Sequence, residues 1–150
     1  MILSNFKDFP RIGRIIGVDW GRRRCGIAVT DPDQEFSFAR PPIVAPDQSF
    51  DMPRAVAGMA LSEQVVAIVV GLPLRMDGSE SETTGDVRDF VGRLEMITDL
   101  PIFLIDETLS SRAAQDNMGR VRRRDIKEKL DSNAARVILE NAISVARRMA

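Results

Sequence analysis

The chain has no histidine, no tyrosine, one cysteine and no long apolar run. Without histidine, neither a Ser-His-Asp nor a Cys-His catalytic set can be built within the chain, and His-ligated zinc is excluded as well. The missing tyrosine removes a further nucleophile. A lone Cys25 cannot close an intrachain disulfide, which suits a reducing compartment. The longest apolar stretch, Val65 to Val70, falls far short of the roughly 20 residues a membrane helix requires. The first ten residues, Met1 to Pro10, lack the continuous apolar core and small-residue cleavage site of a signal peptide. The expectation is a soluble, cytoplasmic protein with no membrane association. Carboxylates and guanidinium groups remain as its chemical equipment.

At 150 residues the chain fits one domain, and 44% apolar with 29% charged residues is a composition that can build a core. The net charge of −1 gives no overall attraction to nucleic acid, so the distribution of charge matters more. Arg22, Arg23 and Arg24 form one basic cluster. Arg120, Arg122, Arg123, Arg124, Lys127 and Lys129 form another, over ten positions that hold only two acids, Asp125 and Glu128. Local basic patches of this kind bind phosphates while the rest of the surface stays acidic, although a solvated face is the plainer reading of either cluster alone.

Ile15 to Trp20 alternates as a strand, with Ile16, Val18 and Trp20 on one face and Ile15, Gly17 and Asp19 on the other. Gly21 and the three arginines then turn the chain into a returning strand, Cys25 to Thr30. Glu35 to Val44 reads as a third strand, held to an edge or cut short by Pro41 and Pro42. A helix over 51–64 leads to the apolar strand Val65 to Val70. Ser79 with Glu82 has the spacing of a capping box and predicts a helix from about Glu80 to Ile97. A strand over Pro101 to Asp106, a short helix over Ser110 to Met118 and a final helix over Ser132 to Met149 complete the order βββαβαβα. The reading is an α/β fold with a five-stranded mixed sheet flanked by helices. Residues 1–13 form an N-terminal extension and 14–150 the domain.

Right-handed crossovers bring the C-terminal ends of the first, fourth and fifth strands to one edge of the sheet, where ligands of α/β folds bind. Asp19 ends the first of these strands and Glu107 closes the last. Asp131 opens the final helix on the same stripe as Ala135, Ile138, Leu139, Ala142 and Ala146. Carboxylates from separate elements at one edge suit a hard cation, since Mg²⁺ prefers oxygen ligands and needs few of them when substrate phosphate supplies the rest. This points to metal-assisted phosphodiester chemistry. Gly17, on the face of Asp19, is expected to leave room for a phosphate. Asp106 competes with its neighbour Glu107 as a ligand, and Asp131 competes with itself as an N-cap. Trp20 reads as core, Cys25 as a small buried strand residue, and Asp77 as a turn-former.

Four segments together make the chain recognisable: Gly17-Val18-Asp19-Trp20-Gly21 running on to Ala28, Val69 to Ser79 around Gly71-Leu72-Pro73-Leu74, Asp106-Glu107-Thr108-Leu109-Ser110-Ser111, and Asp131-Ser132-Asn133-Ala134-Ala135. They closely resemble the YqgF (RuvX) family, and the resemblance runs from about Arg14 to Met149. It implies an RNase H-like fold, kinship with Holliday junction resolvases, and a part in maturing the 5′ end of 16S ribosomal RNA. Asp19, Glu107 and Asp131 match the family's acidic positions, with Mg²⁺ or Mn²⁺ as the implied cofactor; Asp106, from strand alternation alone, is a neighbouring ligand or a structural acid. Two positions depart from the family pattern: Thr108 stands where arginine is usual, and Arg75 where asparagine is usual.

The resulting expectation is a metal-dependent nuclease acting on structured RNA, with pre-16S ribosomal RNA as the implied substrate. Arg22, Arg23, Arg24, Arg75, Arg120, Arg122, Arg123 and Arg124 are the expected backbone contacts. A Holliday junction resolvase acting on branched DNA and a non-catalytic nucleic-acid-binding factor are the competing readings. Ribosomal particles are further implied partners. Since no strong exposed apolar helix face announces a symmetric dimer, a monomer or weak dimer is expected. An actin-like ATPase is rejected, because that architecture needs two lobes and this chain supplies one.

Overall fold

The computed structural model describes residues 1–107 and 123–149, with side chains from Asn133 onward in the second stretch. Six strands form one mixed sheet: β1 Ile2–Leu3, β2 Ile15–Asp19, β3 Arg24–Thr30, β4 Ser37–Val44, β5 Ala67–Leu72 and β6 Ile102–Asp106. Their spatial order is β1-β6-β5-β2-β3-β4. β2, β3 and β4 form the antiparallel meander, while β5 and β6 join β2 in parallel. Helices α1 Met52–Ser62 and α2 Glu82–Glu95 supply the crossovers, and α3 spans Arg123–Arg148.

Strand alternation divides the core in two. Ile16, Val18, Ile68, Val70, Ile102 and Leu104 face α1 and α2, where Val56, Val87, Phe90 and Leu94 meet them. Ile15, Val69 and Phe103 face α3, where Ala135, Ile138, Leu139 and Ala142 cover them. Trp20 is half-buried in the first cluster, its ring centroid 6.4 Å from that of Phe90. Cys25 is a fully buried strand residue.

The sheet has a sixth strand beyond the five expected. Ile2 and Leu3 add parallel to Ile102 and Phe103, and Phe6 and Phe9 pack on Phe103 at centroid distances of 5.5 and 5.0 Å. A two-residue strand carries too little alternation to be read from sequence. β5 lies two residues further along than expected, because its ladder to β6 continues through Gly71–Ile105 to Leu72–Asp106. Pro41 and Pro42 do sit in an edge strand, at a register shift opposite Gly26.

The cap of α2 is Ser81, not Ser79. Ser81 and Thr84 bond reciprocally, side chain to backbone, at 3.3 and 2.9 Å. Ser79 is drawn instead into the preceding turn, where its N–H and hydroxyl both donate to Asp77. α3 already includes Arg123, well before the expected start at Ser132, since Arg123, Arg124, Lys127, Glu128, Lys129 and Leu130 are all strong helix formers. The expected helix over Ser110 to Met118 lies outside the described residues.

One ion-pair group ties the meander to α1. Glu63 accepts from Arg14 at 2.7 Å and from Arg40 at 3.0 and 3.3 Å. Hydrogen bonding and charge from Arg40, with further charge from Arg14, hold the Glu63 carboxyl below its ordinary value of 4.5. A pKa depressed by folding adds stability above the unfolded value, and that stability is lost as pH falls through the folded one. The urea midpoint is therefore expected to drop below about pH 4.5. In Glu63→Gln that acid-side drop shrinks, which comparison of midpoints at neutral and acid pH will read.

Candidate active site

Asp19, Gly71 and Glu107 come together on the α3 face of the sheet, at the C-terminal ends of β2, β5 and β6. Each is placed by register. Gly17 pairs with Val69 and Val18 with Val70, so the next step of the ladder brings Asp19 beside Gly71. On the other side Gly71 pairs with Ile105, and the ladder extends past β6 through the Glu107 N–H donating to the Leu72 carbonyl at 3.2 Å.

β5 separates β2 from β6, so the two carboxylates spring from strands roughly 10 Å apart. Between them Gly71 contributes no side chain. A Cβ at that position would stand 2.7 Å from both Cδ and Oε2 of Glu107 and 2.6 Å from Cδ1 of Ile138. The Glu107 carboxylate thus leans over Gly71 into the space between its own strand and that of Asp19. Both acids are half-buried, and both engage neighbouring groups.

Gly17 has a different role from the one expected. Its missing side chain admits α3: a Cβ there would stand 2.5 Å from Leu139 Cγ and 2.9 Å from the Ala135 carbonyl oxygen. The helix occupies the room expected for phosphate. Gly71, in β5 rather than in the loop after Val70, supplies the position next to Asp19 over which the Glu107 carboxylate and Ile138 Cδ1 close in. Finding it required the β2–β5 register, which no local pattern encodes.

α3 runs antiparallel to β2. The Ala146 carbonyl near its end accepts from Arg11, before β2 starts, whereas Ala135 lies over Gly17. One turn toward the N-terminus from Ala135, about 6 Å along the axis, the helix reaches Asp131. This position is set by the helix backbone. Asp131 lies inside α3, so the N-cap expectation does not hold.

Asp106 is not brought together with Asp19 and Glu107. By alternation it shares the face of Ile102 and Leu104, and it is exposed at the rim of a separate cavity of about 690 Å³ lined also by Arg88, Asn141 and Arg148. Among the described residues, no three acids, cysteines or histidines form a metal-sized cluster. The pair Asp19 and Glu107 nevertheless fits a hard cation: the donors are all oxygen, they share one face, and a side-chain-free residue separates them. Two carboxylates suffice for Mg²⁺ when substrate phosphate completes its shell.

The expected phosphate contacts fall in several places. The Arg22 guanidinium is largely exposed and reaches Asp86 of α2 at 3.3 Å. Arg23 is exposed in the β2–β3 turn, and Arg24 opens β3. Arg75 donates to the Glu80 carbonyl at 2.8 Å and to the Ser79 hydroxyl at 3.4 Å, holding its own loop closed. Arg120, Arg122 and Thr108 lie outside the described residues. Arg123 and Arg124 lie in α3.

The family profile described as RuvX, Holliday junction resolvase, matches residues 13–145. A relative from Maridesulfovibrio salexigens, bearing the provisional name pre-16S rRNA nuclease, is 42% identical over 136 residues, covering 89% of this chain and 99% of its own. A relative of the same name from Rhodopirellula baltica is 35% identical over 145 residues, covering 93% and 81%. Among solved structures, Thermus thermophilus RuvC in complex with a Holliday junction substrate superposes with a TM-score of 0.57 at 11% identity, over 91% of this chain and 97% of that one. The yeast mitochondrial Holliday junction resolvase gives a TM-score of 0.53 at 10% identity, over 96% and 84%. At such identities the likeness speaks for the fold, which is the RNase H-like arrangement expected from the sequence.

Proposed function

The chain belongs to the RuvX family, and on that premise we propose that it is a metal-dependent nuclease that hydrolyses phosphodiester bonds of structured RNA, acting in the cytoplasm on the 5′ end of pre-16S ribosomal RNA. The observation that carries this reading is the pair Asp19 and Glu107, on one face of the sheet with Gly71 between them. The choice of RNA over branched DNA rests on the name borne by its sequence relatives.

Asp19 and Glu107 would hold the cation, Mg²⁺ or Mn²⁺, with Asp131, one turn before Ala135 on α3, as the third ligand. When bound, the cation activates a water and neutralises charge that develops at the phosphate. The protein's own part is positional. Asp19 ends β2 and Glu107 directly follows β6, so the sheet positions the backbone at both carboxylates before substrate arrives, and little backbone reorganisation is needed on binding. The half-buried setting limits water around them and strengthens their pull on a cation. No histidine base is required, because a bound cation would lower the pKa of the attacking water enough for solvent to take its proton.

The test is cleavage of a 5′-extended 16S precursor fragment beside a four-way DNA junction, each with Mg²⁺ and with Mn²⁺. Cutting of the RNA is expected, with the junction left whole or cut more slowly. Preferential cutting of the junction would move the assignment to a resolvase. Binding of RNA without cleavage in either metal would sink the nuclease reading in favour of a non-catalytic factor.

A further inference from the structure

A groove of about 890 Å³ opens at the same end of the sheet as Asp19, on the side of α1. Arg22 and Arg23 form one wall, from the β2–β3 turn. The loop from Ala45 to Phe50 and Met52 at the start of α1 form the other. None of these residues beyond the arginines is accounted for by the cation site.

Three features of the groove point to one kind of ligand. First, it is positively charged where it is open. Arg22 is 78% exposed, and the exposed Arg23 makes no side-chain ion pair among the described residues. The one acid on the opposite wall, Asp47, is engaged in its own turn, accepting from the Ser49 N–H at 2.9 Å and the Ser49 hydroxyl at 2.5 Å.

Second, the groove contains an aromatic surface. Phe50 packs on the α1/α2 core cluster yet stays half-exposed and lines the groove. A phenyl ring placed beside exposed arginines matches how single-stranded nucleic acid is held, with the backbone on cations and a base stacked on an aromatic face. Third, the groove is close to the cation site. Arg23 is four positions on from Asp19, a span of at most about 14 Å of chain, so a strand lying on Asp19 passes the β2–β3 turn within a few nucleotides.

We propose that Arg23 and Phe50 form a subsite for an unpaired nucleotide flanking the cleaved bond, with phosphate on Arg23 and base on Phe50. This rests on the nuclease reading of the Asp19 site and deepens it: the substrate is engaged as a single strand where it leaves the cation site toward α1. Arg22 is a weaker contact, since Asp86 shares its charge.

The experiment measures binding of a short fluorescein-labelled single-stranded RNA by anisotropy in EDTA, so that binding is read with cleavage off. Phe50→Leu keeps the apolar packing while removing the ring, and it is expected to raise Kd by about 5- to 50-fold. Phe50→Trp restores affinity, and its emission is quenched by the RNA. Arg23→Gln lowers the slope of log K against log salt by about 0.7, the value for one single-strand phosphate contact. A folded Phe50→Leu that binds as tightly as wild type would overturn the subsite, as would an unchanged salt slope in Arg23→Gln. Cleavage with Mg²⁺ is scored separately. A wild type that cuts while Phe50→Leu binds normally refutes only the subsite, and a wild type that binds through Phe50 without cutting refutes only the nuclease.

Discussion

Asp19→Asn is expected to lower the rate of phosphodiester cleavage by at least about 10³-fold while leaving the fold intact. The magnitude follows from what the carboxylate does. Cation charge at a reacting phosphate contributes several kcal/mol to the transition state, and each 1.36 kcal/mol is tenfold in rate. The amide keeps the size and shape of the acid but loses the charge that holds the cation. Asp19 ends a strand and is only half-buried, so the melting temperature should shift little. Asp106→Asn is the matched comparison, because that acid points to the opposite face and is exposed. It is expected to cost less than tenfold in rate. Equal losses at both positions would mean that the reacting centre is not where the α3 face puts it. Persistent cleavage in Asp19→Asn would remove the site altogether.

The contrast between Asp19 and Asp106 shows what the sequence makes legible. The alternation of Ile15 to Trp20 assigned Asp19 to its face, because a strand buried on both sides still has a period of two. The same rule separated Glu107 from Asp106 once either face was known. Which face α3 would cover was not legible. That depends on Gly17 admitting the Ala135 carbonyl and Leu139, a contact between residues far apart in sequence. Gly17 read as a strand glycine and Gly71 as a loop glycine, yet both sit in strands: α3 backbone and Leu139 crowd the first, and the Glu107 carboxylate with Ile138 crowds the second. The cap of α2 failed for a local reason. Ser79 and Ser81 both offered an oxygen, and the Asp77 turn took the first. Phe50 carried no signal at all, since a lone aromatic ahead of a helix start reads as core until the arginines opposite it are placed.

Gly71→Ala tests the geometry of the site without touching any ligand. The added methyl would stand 2.7 Å from the Glu107 carboxylate and 2.6 Å from Ile138 Cδ1, and neither neighbour can ignore it. Ile138 is fully buried and branched at Cβ, so it has few alternative rotamers. The Glu107 side chain is longer and only half-buried, so it yields first. Overpacking of this kind costs about 1–3 kcal/mol of stability, which a urea midpoint will register. The larger effect is on chemistry. Displacing a ligating group by about an ångström costs on the order of 10²-fold in rate, and the concentration of Mg²⁺ needed for half-maximal cleavage is expected to rise at least tenfold. Gly58→Ala gives the scale for a glycine with open surroundings, since nothing lies within 4 Å of its would-be Cβ. In the middle of α1 that change should add up to about 1 kcal/mol of stability and leave cleavage untouched. If Gly71→Ala instead cleaves normally at wild-type Mg²⁺, Glu107 does not hold the cation. The protein's acid chemistry would then have to be sought between Asp19 and α3.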